Sequence, residues 1–360
     1  MKKKALYAGF ILLVLAVVLY IGIQNGDFPA SIRAILNMPL RYALLSVACV
    51  FGGLLMETLS LGSAMRFQGL SLPFRRQFAM CLLGAFYSYI TPGASGGQPM
   101  QVYQFHKWRV PVGRATAALT IHFHCFQTML LAFDVVLFAV YHKFIIAELG
   151  PNLPILIIGF AINAVIVGMS LMIAFYQRPV RWLVRRACGL MRRLKIGNPE
   201  KLENAAGGMA DGFYAGMREM ALNGGELSRQ VLIGAMRVVC LMSTMYFIYR
   251  GLGLRQNSYG RVFTMSCMQY TSAAYTPLPG ASGAQEGVFS LYFEGMLPNE
   301  LLFSGLLAWR FVTYYFILIV GFLVTTAMGM RHTSVEEAEA EVTRDLETSG
   351  NGEDPGERGA

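Results

Sequence analysis

Two glycine-rich segments bounded by proline hold the residues best suited to chemistry in this chain. The first reads Thr-Pro-Gly-Ala-Ser-Gly-Gly-Gln-Pro at 91–99, and the second reads Thr-Pro-Leu-Pro-Gly-Ala-Ser-Gly-Ala-Gln-Glu at 276–286. Both interrupt apolar sequence, so they free backbone N–H groups and helix ends that can bind an anion such as a phosphate. The candidate binding residues in these two breaks are Gly93, Ser95, Gly96, Gly97, Gln98, Gly280, Ser282, Gly283 and Gln285.

The breaks have simpler interpretations as well. Each could be an ordinary kink or a tight turn between short helices. A nucleotide phosphate loop fits poorly, because no Gly-Lys-Ser/Thr follows either break and no soluble strand precedes it. If the breaks bind a ligand, we expect Gly96 and Gly283 to need open backbone angles or a close approach to that ligand.

A charged pair of residues lies near the second break. Arg310 falls about ten residues into the last apolar run, where a guanidinium can bind phosphate in a planar fork. The alternative for Arg310 is a structural ion pair with Glu57, Asp134 or Glu286. Glu286 follows the second break, where a carboxylate can cap free N–H groups, take part in proton coupling or bind an ammonium headgroup. Its counterpart in the first break is Pro99, so the two breaks differ chemically.

Further polar residues interrupt other apolar runs. His122 and His124 are two positions apart, so they point to different sides of a helix; we expect one to face a cavity and the other to pack. A metal site from this pair is not expected. Glu57 and Arg237 lie nearer the ends of their runs, where they could extend their charged groups to the membrane surface.

The elements that must position these residues are those of a membrane protein. The chain is 55% hydrophobic and 14% charged, which is too little charge to cover a soluble protein of 360 residues. Six apolar runs are long enough to cross a hydrocarbon core of about 30 Å, and two shorter runs end at the breaks. The long runs are roughly 5–23, 40–64, 115–141, 154–175, 230–249 and 301–328, and the short ones are 78–90 and 262–276.

Charge orients these runs. Lys2–Lys4 and the basic stretch 178–201 predict a cytoplasmic N-terminus and a cytoplasmic loop, although Arg250, Arg255 and Arg261 fall outside in this topology. The first run is long for a signal peptide and lacks a cleavage site, so we expect an uncleaved span. Both termini are then cytoplasmic, in the cell membrane.

The C-terminal region differs in charge from the rest of the chain. Residues 331–360 hold nine acidic residues and three arginines, which predicts a solvated, partly disordered tail. The remaining sequence has a net charge of about +15. This excess fits anionic lipid headgroups rather than nucleic acid. The six cysteines stand alone and indicate no disulfide framework.

One offset relates the two halves of the sequence. Pro92 maps onto Pro279, 187 residues later, and the same shift takes the starts of the runs at 40 and 115 to 227 and 302. Three full spans in each half is an odd number, so the second half is inverted relative to the first. The expected fold class is an all-α integral membrane protein with about six transmembrane helices and two re-entrant broken hairpins in an inverted repeat. The expected parts are a first repeat at 1–142, a second repeat at 143–330 with a basic loop at 178–226, and the tail at 331–360.

The two breaks resemble those of the lysylphosphatidylglycerol synthase transmembrane family, also called the flippase-like domain family. The specific marks are Thr-Pro-x-x-Ser-Gly-Gly-Gln-Pro at 91–99 and Pro-x-Pro-Gly-x-x-Gly-x-x-Glu at 277–286, and the resemblance covers about 1–330. The family includes the lipid-flipping membrane half of the multiple peptide resistance factor, in which a soluble aminoacyl-transferase domain follows. Here the acidic tail follows, so lysyl transfer is not expected. The resemblance implies movement of a polar-headed lipid without identifying it.

Three classes of function stay open. The leading hypothesis is a flippase-like transporter for a phospholipid, an aminoacylated phosphatidylglycerol or an isoprenoid-linked anion. The second is an enzyme acting on lipid headgroups, such as a lysyltransferase-type component; against it, no nucleophile–base cluster, metal signature or nucleotide loop is recognisable, so no catalytic residue, metal or cofactor is expected. The third is a subunit that works with a separate soluble lipid synthase. The expected partners are anionic lipids, with a homo-oligomer left open and no nucleic acid.

Overall fold

The computed structural model describes residues 28–176, 186, 199–274, 276, 278–329, 337, 338 and 340–342. Regular structure in these ranges is entirely helical. The first apolar run, Cys188, most of the basic stretch 178–201, Pro277 of the second break and most of the acidic tail lie outside the described residues.

The helices follow the apolar runs of the sequence. Four of them, α2, α3, α5 and α11, begin directly after a proline, whose fixed φ and missing N–H suit the start of a helix. The helices in chain order are α1 Phe28–Leu36, α2 Leu40–Phe67, α3 Phe74–Ile90, α4 Gly97–Lys107, α5 Val112–Leu149, α6 Leu153–Phe175, α7 Pro199–Leu222, α8 Gly224–Gly251, α9 Tyr259–Ala273, α10 Ala284–Phe293, α11 Asn299–Arg310 and α12 Phe316–Ala327. A π-helical turn, Phe311–Tyr315, joins α11 to α12.

Four helical stretches within the described ranges are long and apolar enough to cross a membrane. They are Leu40–Phe67, Val112–Met172, Gly224–Gly251 and Asn299–Ala327. The second of these contains both α5 and α6, which fold back on each other at Gly150, where φ is +47°. The five long runs within the described ranges are therefore helical, as predicted.

Two short helices lead into the breaks. α3 has 17 residues and α9 has 15, so at 1.5 Å per residue they are about 26 Å and 23 Å long. A 3₁₀ turn follows each of them, Pro92–Ala94 directly after α3 and Pro279–Ala281 separated from α9 by five residues, and these two turns contact each other. The predicted pairing of a short helix with each break is confirmed.

The element boundaries repeat with the spacing found in the sequence. The turns that start at Pro92 and Pro279 are 187 residues apart, and so are the starts of α4 and α10 and the starts of α5 and α11. Contacts between elements repeat as well: α4 packs on α5 as α10 packs on α11. One spacing therefore relates consecutive elements on either side of each break.

Apolar packing is divided between two main clusters. One is built chiefly from the first half of the chain, around Leu61, Met80 and Phe105, and the other chiefly from the second half, around Tyr249 and Phe289. The most extensive helix contact joins α2 to α8. These two helices are counterparts under the 187-residue spacing, so the halves meet along equivalent elements.

The described part of the tail is docked on the protein. Ala338 is fully buried against Leu83 and Met100, and the Tyr103 hydroxyl donates to Glu341 Oε2 at 2.6 Å. Burial and a charged hydrogen bond oppose the expectation of a solvated tail at these positions. The acidic sequence alone did not indicate this contact with α4.

Candidate functional site

A cavity of about 690 Å³ lies where the two breaks meet. Its wall combines both breaks with polar side chains from the long helices, so one space faces backbone from each half of the chain. A volume of this size is typical of small-molecule sites. The predicted site residues that line it are Gly93, Ser95, Gly97, Gln98, His122, His124, Gly280, Gln285 and Arg310, while Gly96, Ser282, Gly283 and Glu286 lie outside the lining set.

The second break holds its own ion pair. Arg310 Nε donates to Glu286 Oε1 at 2.7 Å, and the guanidinium is 6% exposed. The other carboxylate oxygen of Glu286 accepts from the Gly283 N–H at 2.6 Å. Glu286 therefore caps the start of α10 and pairs with Arg310, which combines two of the expected roles. Arg310 Nη1 and Nη2 are both 3.5 Å from the Gly280 carbonyl oxygen, a long contact that leaves the fork weakly held.

The first break has a different end. The Thr91 hydroxyl accepts from the Gly96 N–H at 2.8 Å and donates to the Tyr87 carbonyl at 2.6 Å, so one side chain closes the turn. α4 then starts at Gly97 with no acidic residue in its first turn and no side-chain cap. The first N–H groups of a helix have no intrahelical partners, and Gly97 and Gln98 both line the cavity. No acidic side chain in the first turn therefore balances the positive end of α4 where it borders the cavity.

The backbone of the breaks corrects one expectation. Gly283 has φ of +87°, as predicted, but Gly96 is ordinary right-handed helix at φ −84°. The left-handed glycine of the first break is Gly93 at φ +59°, which matches Gly280 at φ +59°. Gly97 is demanding for another reason, because a Cβ there would collide with the Ser88 hydroxyl and the Gly84 carbonyl.

A second ion pair lines the same cavity. Arg237 Nη2 on α8 donates to Glu57 Oε2 on α2 at 2.7 Å, and the two side chains are 15% and 16% exposed. His122 Nε2 lies 4.0 Å from the other oxygen of Glu57. The expectation that Glu57 and Arg237 extend to the membrane surface is therefore wrong, because packing of α2 on α8 turns them towards each other.

A family model described as the lysylphosphatidylglycerol synthase TM region matches residues 7–321. The chain belongs to this family. The expected resemblance is thus confirmed, and the chain is a multi-pass membrane protein with a lipid-related role. No functionally curated protein matches it.

The histidines of this lysylphosphatidylglycerol synthase TM region differ in their contacts. His124 is held on both ring nitrogens, by the Thr120 carbonyl oxygen at 2.7 Å and the Ser170 hydroxyl at 2.9 Å. His122 Nδ1 is buried and finds no partner among the residues described. Both line the cavity, and His124 also ties α5 to α6. Within the described ranges no three His, Cys, Asp or Glu side chains come together as metal ligands would.

Several cavity residues of this family member had no clear signal in the sequence. Gln269 on α9 is hydrogen-bonded to Gln285 of the second break, and Tyr89 packs on Tyr314 with ring centroids 4.9 Å apart. The Tyr314 hydroxyl donates to the Tyr89 carbonyl, so the tyrosine pair links α3 to the π-helical turn. What they share in the sequence is only a polar group within an apolar run. That signal does not reveal the partner.

Proposed function

We propose that the chain is a flippase-like transporter that moves a lipid with a phosphate-bearing headgroup across the cell membrane. The observation that best supports this proposal is the contact of the two breaks around one polar cavity. A lipid flippase needs a polar path for the headgroup while the acyl chains remain in the bilayer. The cavity is large enough for a headgroup and supplies cationic side chains and helix N–H groups.

The arrangement of the halves supports an alternating path. Equivalent helices α2 and α8 run antiparallel: Glu57 meets Arg237, Ser60 meets Gln230 and Ser63 meets Glu226. This direction is the one required if the second half is inverted. In secondary transporters with inverted repeats, broken helices meet near the midplane at the substrate site. We therefore propose six spans and two re-entrant hairpins, with the first hairpin entering from the cytoplasmic face.

The two breaks would share the phosphate unequally. Glu286 already neutralises the second break, so the N–H groups at Gly97 and Gln98 are the more attractive site for an anion. Arg310 can assist across the cavity, because Glu286 holds it through Nε. Among the described residues, the long contact to Gly280 is the only hydrogen bond of Nη1 and Nη2. In this proposal Glu286 orients Arg310, and the Arg310 fork contacts the headgroup.

Substitution of Arg310 tests the proposal. Arg310→Gln should lower both lipid movement in proteoliposomes and the amount of co-purified phospholipid at least tenfold, because the fork that holds the phosphate is gone. Arg310→Lys should recover little, since an ammonium lacks the planar fork. Arg255→Gln, which removes an exposed arginine in the loop before α9, is the matched control and should behave as the unsubstituted protein. Native mass spectrometry of the purified protein would identify the bound lipid.

Yield separates this role from a purely structural one. If Arg310 only balanced Glu286, Arg310→Gln would reduce folded yield, and adding Glu286→Gln would restore it. Normal lipid binding and transport in Arg310→Gln would refute the contact with the headgroup. Headgroup turnover without lipid movement would instead favour a membrane enzyme, and activity only with an added soluble synthase would favour a subunit role.

A further inference from the structure

A buried carboxyl group outside the cavity has a role still to be explained. Asp134 on α5 is fully buried and does not line the cavity. Its Oδ2 accepts from the Thr271 hydroxyl at 2.5 Å, and its Oδ1 has no hydrogen-bond partner in the described parts of the chain. Asp134 lies nine residues before the exposed Lys143, about 14 Å along the helix and thus within the depth of a hydrocarbon core.

An equally buried amide lies at the same depth. Asn163 is fully buried, and neither its oxygen nor its nitrogen has a partner among the described residues. Phe138 contacts Phe160, and His124 is hydrogen-bonded to Ser170, so α5 and α6 run antiparallel. Interpolation between these two contacts brings Asn163 level with Asp134.

A third helix completes the cluster. Gly159, one turn from Asn163 on α6, packs so closely on Ser272 of α9 that a Cβ would lie 2.6 Å from the Ser272 Cα. Thr271 precedes Ser272, so α9 brings its hydroxyl to the same depth. The three helices α5, α6 and α9 contact each other pairwise. Thr271 is hydrogen-bonded to Asp134, and the buried Asn163 follows the Gly159–Ser272 contact by one turn, so the three polar side chains belong to one three-helix interface.

The charges around Asp134 do not balance it. Among the described residues no salt bridge involves Asp134, and the Arg237 side chain on α8 is already paired with Glu57. Cys267 and Tyr270 on α9 and Tyr292 on α10, which is hydrogen-bonded to Ser272, are titratable side chains of the elements packed here, and none of them is a cation. α6 contributes only the neutral Asn163 and Ser170. A bare carboxylate at this depth costs several kcal/mol, so a positive ion must accompany it.

We propose that Asp134, Asn163 and Thr271 form the site of one monovalent cation, either a proton or Na⁺. Oxygen ligands of this kind suit a hard cation, and a proton on Oδ1 would satisfy the same need. α9 connects this site to the cavity, because Ser266, Gln269 and Tyr270 on the same helix line the cavity and α9 ends at the second break. A cation bound here would therefore change how α9 packs before the second break. That this cation is the coupling ion rests on the proposed transport function.

Binding can be measured without lipid movement. Melting temperatures of the purified full chain are compared in NaCl and in KCl at equal ionic strength, because a ligand that binds the folded state raises the melting temperature. Infrared difference spectra between two pH values detect a carboxyl group that gains or loses a proton. For a Na⁺ site, the rise in NaCl should be absent in Asp134→Asn. For a proton site, the pH-dependent carboxyl band should be absent in Asp134→Asn, with no preference for Na⁺.

Two further variants keep the test decisive. Asn163→Val retains the carboxyl group but removes the amide. For a Na⁺ site it should raise the half-saturating Na⁺ concentration at least tenfold; for a proton site it should change the proton concentration at the midpoint of the carboxyl band at least tenfold. Thr244→Val, at another fully buried hydroxyl on α8, is the matched control and should change neither. Wild-type protein with neither a Na⁺-specific rise nor a pH-dependent carboxyl band would overturn the cation site. Because both readouts omit lipid, failure of the transport proposal would leave them unaffected.

Discussion

Single residues in the two breaks share a backbone conformation but not their surroundings. Gly93 and Gly280 both have φ of +59°, and the alanines that follow them, Ala94 and Ala281, are left-handed as well. A Cβ added to Gly93 would meet open space, whereas one added to Gly280 would collide with the Tyr314 ring. The conformational requirement is common to both breaks, and the packing requirement belongs to the second.

We expect this difference to appear in stability. Gly93→Ala should destabilise the protein by about 1–2 kcal/mol, the cost of a left-handed residue with a side chain. Gly280→Ala should destabilise it further, because Tyr314 must also move. Thermal unfolding of both variants in one detergent makes the comparison. Gly168→Ala on the open surface of α6 is the control and should not destabilise the protein, because alanine is favoured over glycine in a helix. Equal losses at Gly93 and Gly280 would argue against the contact with Tyr314.

The sequence could locate these residues but not their partners. A repeated motif identified both breaks, and charge within an apolar run identified Arg310. Three acids were candidates for its partner, and the choice of Glu286 depends on how α10 and α11 face each other. The left-handed residues of the first break are Gly93 and Ala94 rather than Gly96, whose N–H donates to the Thr91 hydroxyl. Tertiary packing therefore determines both the partner of Arg310 and the backbone conformation of the first break.

Among the helices, the α2–α8 pair shows how polar contacts can join two spans. Ser60 donates to Gln230 Oε1 at 2.6 Å, Ser63 donates to Glu226 Oε1 at 2.5 Å, and Glu57 pairs with Arg237 at the cavity end. Long apolar runs predicted both helices, because a spanning helix is recognised by length and hydropathy alone. Their antiparallel contact could not be read from either run, since it depends on which faces meet.

A double-substitution cycle tests the charged end of this pair. Glu57→Gln or Arg237→Gln alone should cost about 3–5 kcal/mol, because each leaves a buried charge without its partner. The double variant should recover much of that loss. Arg229→Gln removes a side chain that is 61% exposed from its pair with Glu226 and should cost less than about 1 kcal/mol. Additive losses at positions 57 and 237, measured as folded yield and melting temperature, would show that the two charges do not stabilise each other.

For the molecule as a whole, the proposed inversion of the second half predicts which loops lie on which side of the membrane. The loop after α4 and the loop after α8 lie on opposite sides of the membrane only if the two hairpins enter from opposite faces. Basic residues set the orientation before α5, but Arg250, Arg255 and Arg261 weaken the same rule beyond α8. Charge counting alone therefore leaves the second half undecided.

Labelling of single cysteines in intact cells decides it. In a background without the native cysteines, Lys107→Cys should be protected from an impermeant reagent, whereas Arg255→Cys should react, because the two loops lie on opposite faces. Lys143→Cys near the end of α5 is the matched control and should react like position 255. All three native side chains are exposed. Reaction of positions 107 and 255 from one side would exclude the inverted arrangement.

The π-helical turn after Arg310 sets a limit on how alike the two halves can be. A π turn inserts one residue into a helix, which rotates the following side chains by about 100° relative to a continuous α-helix. Up to Arg310, α11 keeps helical phase with the start of α5; beyond it, α12 is out of phase by one position. The correspondence between the halves therefore ends at the guanidinium. In the proposed transport, a headgroup moving past Arg310 would meet walls whose side chains no longer correspond.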